Sequence, residues 1–265
     1  MALLQIRIRS RVLATRTEIH VALPLDRQDV SIQGQKLSYQ VVYMLHGGAG
    51  DASVWLRETS AERYARERNV ALVFPDAGGH SYYTDMRYGR DYWAYISEEL
   101  PALMAAMLPL STKREDTFVA GYSMGGYGAY KCALLHPERF ACAAALSGAF
   151  DLERILSPGK SSVPERARSA IFGDPPRYDP ETANLYAMLL KLKESGASIP
   201  ALYSACGTED PLTWECHTHM SEFCQTNDIP LTVRSLPGKH DFAFWDPMTE
   251  ELLDWLPLKR APIYT

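Results

Sequence analysis

The stretch Val119–Lys131, "VAGYSMGGYGAYK", decides how the rest of the chain is read. It sets one serine, Ser123, among Gly121, Gly125, Gly126 and Gly128, after a short apolar run and before a helical pattern. Glycine loses more backbone freedom on folding than any other residue, so this density points to a backbone forced into a tight shape. Gly121-Tyr122-Ser123-Met124-Gly125 has the form G-x-S-x-G, a sharp strand-to-helix turn that holds a serine hydroxyl out at the carboxyl end of a sheet. Glycines two residues either side keep side chains from colliding there. The helix N-terminus that follows carries partial positive charge, which favours a developing oxyanion.

Working outward, the chain reads as a β start followed by alternation. Two stretches near Leu4–Ser10 and Thr17–Leu23 alternate apolar and polar residues as antiparallel strands do. Then come short apolar runs at Val41–Leu45, Val70–Phe74, Thr117–Gly121, Ala141–Leu146, Ala201–Cys206 and Leu231–Leu236, most of them separated by helical patterns. Nearly continuous apolar strands with helices between them are what a parallel sheet covered on both faces requires. The expected fold class is α/β, a mostly parallel central sheet with antiparallel N-terminal strands and helices on both faces. No repeat or Gly/Ser linker divides it, so residues 1–265 read as a single domain. The proline- and charge-rich segment 151–180 is long for a connection and reads as an excursion above the sheet edge, either a partial lid or a plain surface loop.

Composition narrows the class of partner. With 46% hydrophobic and 22% charged residues the chain is an ordinary globular one, and its net charge of −5 argues against a nucleic-acid or anionic-membrane surface. A small-molecule partner is easier to accommodate, and a homo-oligomer is left open. No apolar run nears the roughly 20 residues of a membrane span, and the N-terminal apolar stretch is too short for a signal peptide. Cys132, Cys142, Cys206, Cys216 and Cys224 are odd in number and sit in apolar segments, so they read as reduced core residues. The expected location is cytoplasmic.

A serine hydroxyl is a poor nucleophile until a base takes its proton, so one of the histidines must reach Ser123. His240 is the best placed, just after the last strand on a Pro-Gly loop that leads into an amphipathic helix. His46 sits in "MLHGG", whose glycines suggest another task. His136 reads as a helix C-cap, and His20 and His80 as structural or solvated. His217 and His219 lie on a helix whose apolar face is read as Leu212, Cys216, Met220 and Phe223, which turns both away from Cys216. With no complementary ligand pair elsewhere, no metal site is expected.

The histidine in turn needs a carboxylate to fix its tautomer. "ALYSACGTEDP" offers Asp210, preferred, and Glu209 as the alternative; Asp241 adjoins His240 and is expected to point elsewhere. For an oxyanion, the N–H of Met124 directly follows the nucleophile, and the second donor is assigned to Gly48 in "LHGGAG", unless those glycines form only a tight turn. The same glycines miss the nucleotide-binding spacing, because G-x-G-x-x-G from Gly48 ends on Ser53. Aromatic residues crowd this region. Trp55, Tyr83, Tyr122 and Trp245 are the candidates for a substrate-cleft wall, against the alternative that several simply pack the helix carrying Tyr92, Ile96, Leu100 and Leu103.

Taken together, "YMLHGGAGDASVWLR", "SYYTDMRYGRDYWAYISEELP", "KREDTFVAGYSMGGYGAYKCAL", "CGTEDP" and "GKHDFAFW", in that order, resemble the esterase D-like branch of the α/β hydrolases. The likeness is nearest to the bacterial tributyrin esterases, with S-formylglutathione hydrolases, feruloyl esterases and mycolyltransferases as relations. It spans roughly Val41 to Trp245. The resemblance implies an α/β-hydrolase fold and a serine hydrolase that needs no cofactor, with Ser123 as nucleophile, His240 as base, Asp210 as its orienter, and Gly48 and Met124 as oxyanion donors. Tributyrin esterases tend to carry a tryptophan soon after the histidine, where this chain has Phe242 and then Trp245. The expected reaction is hydrolysis of short-acyl carboxylic esters, with feruloyl or cinnamoyl esters, a glutathione thioester or acyl transfer as alternatives. A non-catalytic binding module on the same scaffold would be marked by a missing triad member, and none is missing.

Overall fold

The computed structural model describes residues 1–25, 37–156, 163–260 and 263–264. Its centre is an eight-stranded sheet: β1 (Ala2–Ser10), β2 (Thr15–Leu23), β3 (Val41–Leu45), β4 (Ala71–Pro75), β5 (Thr117–Tyr122), β6 (Cys142–Leu146), β7 (Ala201–Gly207) and β8 (Leu231–Leu236). The spatial order is β1-β2-β4-β3-β5-β6-β7-β8. β1 and β2 form an antiparallel hairpin, β2 runs antiparallel to β4, and every later pairing is parallel. This is the α/β-hydrolase arrangement that the alternation and the family resemblance imply.

Residue alternation explains why the central parallel strands are largely apolar, while the edge strand β8 carries Arg234 and Ser235 and is partly exposed. In β3, Val41, Tyr43 and Leu45 face one core while Val42 and Met44 face the other. β5 repeats this, with Val119 on the first side and Phe118, Ala120 and Tyr122 on the second. On the first side lie α2 (Leu100–Met107), α3 (Met124–Leu135), α4 (Leu185–Glu194) and α5 (Trp214–Thr226), which bury Met104, Tyr130, Leu189 and Met220. On the second, α1 (Ala61–Arg68) and α6 (Phe242–Trp255) bury Tyr64, Trp245 and Leu252. At about 25 cal/mol per Å2, each such side chain contributes on the order of 1.5–3 kcal/mol, and a strand buried on both faces collects this from every residue.

The five cysteines are free and buried. Among the described residues no helix is long and apolar enough to cross a membrane. Of the 151–180 excursion, 157–162 lie outside the described residues. Of the remainder, a helix at Glu165–Phe172 is docked, burying Ile171 and Phe172, and the Ile171 and Ala170 carbonyls accept from the Arg87 and Tyr88 N–H groups at 2.8 and 2.9 Å, while 174–177 are exposed.

Candidate active site

Ser123 stands between β5 and α3 with φ 53° and ψ −119°, a conformation that costs a non-glycine residue on the order of 1–3 kcal/mol. Backbone hydrogen bonds hold it there. Its N–H donates to Leu146 at 2.9 Å, and its carbonyl accepts from the N–H groups of Gly126 at 3.0 Å, Ala149 at 3.1 Å and Tyr127 at 3.3 Å. The flanking glycines supply clearance: a Cβ on Gly125 would strike the Leu45 and His46 carbonyls, and one on Gly121 would strike Gly125 itself. Gly126 and Gly128 permit close packing against Gly148 and the Tyr83 ring.

Two loops from the same sheet edge meet this serine. Asp210 follows β7, and His240 lies between β8 and α6. His240 Nδ1 is 2.8 Å from Asp210 Oδ2, and its Nε2 is 3.0 Å from Ser123 Oγ. The carboxylate therefore accepts the Nδ1 proton, leaving Nε2 to accept from the serine hydroxyl. Asp210 is buried, yet its carboxyl is held well below the usual carboxylate range. Burial alone would push it up; the hydrogen bonds from His240 and Thr213 outweigh that. Oδ1 accepts from the Leu212 and Thr213 N–H groups at 2.9 and 3.0 Å, while Oδ2 accepts from Thr213 Oγ1 at 2.6 Å. Glu209, the alternative acid, is exposed; its N–H donates to the Gly238 carbonyl at 2.9 Å, and it is Asp210 that bonds the His240 ring. Asp241 caps α6, accepting from the Phe244 N–H.

The parallel register Leu45↔Gly121 brings residues 46–48 alongside 122–124. Among the described residues, neither the Gly48 N–H nor the Met124 N–H donates to a protein acceptor. Two unpaired donors beside a serine can receive an oxyanion. His46 fixes this loop rather than taking part in proton transfer. Its ring is buried, Nδ1 donates to the Gly47 carbonyl at 2.8 Å, and Nε2 accepts from the Ala77 N–H at 2.9 Å. Burial lowers its pKa, consistent with a neutral ring. The Met124 side chain is engaged too, its sulfur accepting from the Tyr82 N–H at 3.3 Å.

The four aromatic residues expected to wall a cleft are instead interior. Trp55, Tyr83, Tyr122 and Trp245 are all at most 4% or less exposed. Each is held by packing or a hydrogen bond: Trp55 donates to the Leu45 carbonyl, Tyr83 to the His46 carbonyl, and Trp245 to Ser147 Oγ. Tyr122 packs between Trp55, Phe242 and Trp245, with centroids 5.0, 5.2 and 4.4 Å away. They support the site from behind, and the Trp245 ring meets His240 edge to face at 4.9 Å. Phe242 and Trp245 thus share one aromatic cluster.

His217 corrects a second expectation. It points inward, 1% exposed, bridging Ser204 Oγ at 2.7 Å and Ser235 Oγ at 3.1 Å. The buried face of α5 is Cys216, His217, Met220 and Cys224, while Leu212 precedes the helix and is exposed. Among the described residues no cluster of three His, Cys, Asp or Glu side chains is placed to hold a metal. Thr213 was not singled out by sequence, although Asp-x-x-Thr before a helix carries the signature of a side chain bonding the following backbone.

The chain as a whole matches a known group. The model of the family described as "Putative esterase" matches residues 10–256. The chain belongs to this esterase family. An acetyl esterase of Caldicellulosiruptor saccharolyticus is 30% identical to it over 268 residues, 97% of this chain and 98% of that protein. Among solved structures, the substrate-bound fluorophosphonate-binding serine hydrolase FphF of Staphylococcus aureus superposes with a TM-score of 0.86 at 30% identity, covering 96% of this chain and 98% of that one. The S-formylglutathione hydrolase FrmB of Staphylococcus aureus gives 0.84 at 30% identity, with the same coverage. At the level of the family, the protein is a carboxylic ester hydrolase.

Proposed function

We propose that this esterase hydrolyses short-acyl carboxylic esters through an acyl-enzyme on Ser123. The observation that carries the reading is the continuous hydrogen-bonded line from Asp210 through His240 to Ser123, which ends on a strained serine beside two unpaired N–H groups. Ser123 Oγ attacks the ester carbonyl as His240 Nε2 takes its proton. The oxyanion is received by the Gly48 and Met124 N–H groups, and Asp210 stabilises the imidazolium. His240 then protonates the leaving alcohol. Water repeats the sequence on the acyl-enzyme, releasing the acid and restoring the serine.

Two observations favour a short acyl group. The space behind Ser123 and His240 is filled by Trp55, Tyr122, Phe242 and Trp245, packed ring on ring. The relative matching nearly the whole chain is an acetyl esterase. A glutathione thioester is the second reading, favoured by the likeness to FrmB.

Ser123→Ala, assayed with p-nitrophenyl acetate and butyrate, is expected to lower kcat by about three orders of magnitude or more and to abolish fluorophosphonate labelling. Undiminished turnover sinks the assignment. With the wild-type enzyme, kcat/KM across acetyl, butyryl, feruloyl and S-formylglutathione substrates separates the readings; a preference for either of the last two overturns the short-acyl assignment while leaving the serine mechanism standing.

A further inference from the structure

Beside α3 lies a cavity of about 350 Å3 that contains neither Ser123 nor His240. Lys131 lines it, two turns along the helix from the serine, roughly 12 Å at 1.5 Å per residue. Trp93, Phe172 and Tyr178 contribute walls, and Arg87 and Arg177 complete the cationic part of the lining.

Lysine is among the residues least often fully buried, yet Lys131 is 3% exposed. Its Nζ donates to the Tyr83 carbonyl at 3.0 Å and to Thr84 Oγ1 at 3.4 Å, and it stands 4.5 Å from the centroid of the Trp93 ring. These contacts solvate the charge without neutralising it. Among the described residues no carboxylate pairs with it. Burial brings its pKa down to about 8, so the ammonium is mostly protonated at neutral pH.

The arginines are exposed and likewise unpaired. Among the described residues, neither the Arg87 nor the Arg177 guanidinium makes a hydrogen bond or ion pair. The two carboxylates in the lining already serve the backbone: Asp85 accepts from the Ala94 N–H at 3.0 Å, and Asp179 accepts from the Glu181 N–H at 2.9 Å and Thr182 Oγ1 at 3.3 Å. Three cations with free donor capacity therefore share one cavity with two carboxylates; these keep their charge, and Asp85 favours the protonated Lys131, but the cations outnumber them.

We propose that this cavity binds a small organic carboxylate with a flat apolar body. Guanidinium forks and an ammonium match a carboxylate, which they hold by charge-assisted hydrogen bonds. The rings of Trp93, Phe172 and Tyr178, with Ile171, offer an apolar surface that a bare inorganic anion would leave uncovered. The volume lies in the range of small-ligand pockets, about 300–1,000 Å3. The site shares no residue with the triad and stands whatever ester the enzyme cleaves.

The test is calorimetric titration of the full-length protein at neutral pH with benzoate and, separately, with its neutral counterpart benzamide. Benzoate is expected to bind saturably at one site, with benzamide at least about tenfold weaker, the worth of one charge-assisted contact. Arg87→Gln/Arg177→Gln, at positions whose side chains hold nothing else, is expected to weaken benzoate by a similar factor and leave ester turnover unchanged. Lys131→Met is expected to remove binding; should it fail to fold, the arginine pair still decides. Equal affinity for benzoate and benzamide, no saturable benzoate binding in the low-millimolar range, or binding that the arginine pair retains would each overturn the proposal.

Discussion

Acidification should destabilise the protein through a histidine that does no chemistry. His217 is buried under the β7–β8 pair, each ring nitrogen committed to a serine hydroxyl. Burial lowers its pKa from 6.5 to about 4, against the opposing pull of the Asp210 charge. A base whose folded pKa is depressed is neutral in the native state while the unfolded chain binds a proton. Stability therefore rises with pH between about 4 and 6.5 and is lost on going down through that window. At about pH 5 the unfolded imidazole is almost fully protonated and the native one about a tenth so, which costs about 2 kcal/mol relative to neutral pH.

The assay is urea denaturation followed by tryptophan fluorescence at about pH 7.5 and about pH 5, for wild type and His217→Gln. With an m-value of roughly 3 kcal/mol per molar, the wild-type midpoint should fall by about 0.7 M from this group alone. His46 is also buried with a lowered pKa and acts in the same direction in both proteins, so the comparison isolates His217. The glutamine variant starts less stable but should lose about 2 kcal/mol less on acidification. An equal acid-induced loss in the two proteins would refute the reasoning.

Asp210→Asn tests the tautomer. The amide oxygen can keep the Leu212 and Thr213 N–H bonds, but the NH2 group then faces His240 Nδ1 and drives the ring proton to Nε2, where it can no longer accept from Ser123. The expected result is a fall in kcat of about three to four orders of magnitude with KM little changed; a loss under tenfold in a folded variant would contradict it. Gly125→Ala tests the turn. Its Cβ meets backbone carbonyls of Leu45 and His46 that no rotamer change can clear. We expect destabilisation of about 3 kcal/mol or more, with activity lost even in the folded fraction, and a thermal scan beside a kcat measurement checks both.

The strands were legible because each carries its own boundary signals. Val41–Leu45 and Leu231–Leu236 coincide with observed strands, and Val70–Phe74 is displaced by one residue because Pro75 can still end a strand. The sheet order was not legible. Nothing in the residues of β3 says that it sits between β4 and β5 rather than beside β2; crossovers that pack the helices on both faces decide that. The aromatic residues were located near the site but assigned to the wrong depth, since a ring beside a catalytic loop can wall the cleft or brace it from behind. Their hydrogen-bond partners are the Leu45 and His46 carbonyls and Ser147, and sequence spacing does not bring these together.

The histidines show most directly what separates a candidate base from a structural group. His46 and His217 have the burial and the perturbed pKa that mark functional residues, yet both ring nitrogens of each are already bonded. His136 caps α3 and stacks on Trp93 at 5.8 Å, and His20 meets Glu18 on β2, next to the edge strand β1. His240 differs in its partners. One nitrogen faces a buried carboxylate and the other a hydroxyl that has a proton to give, while the side chain remains 16% exposed. A base needs one nitrogen anchored and the other directed at a transferable proton, and chain order could anticipate that because the loops after β5, β7 and β8 all end at the same edge of the sheet.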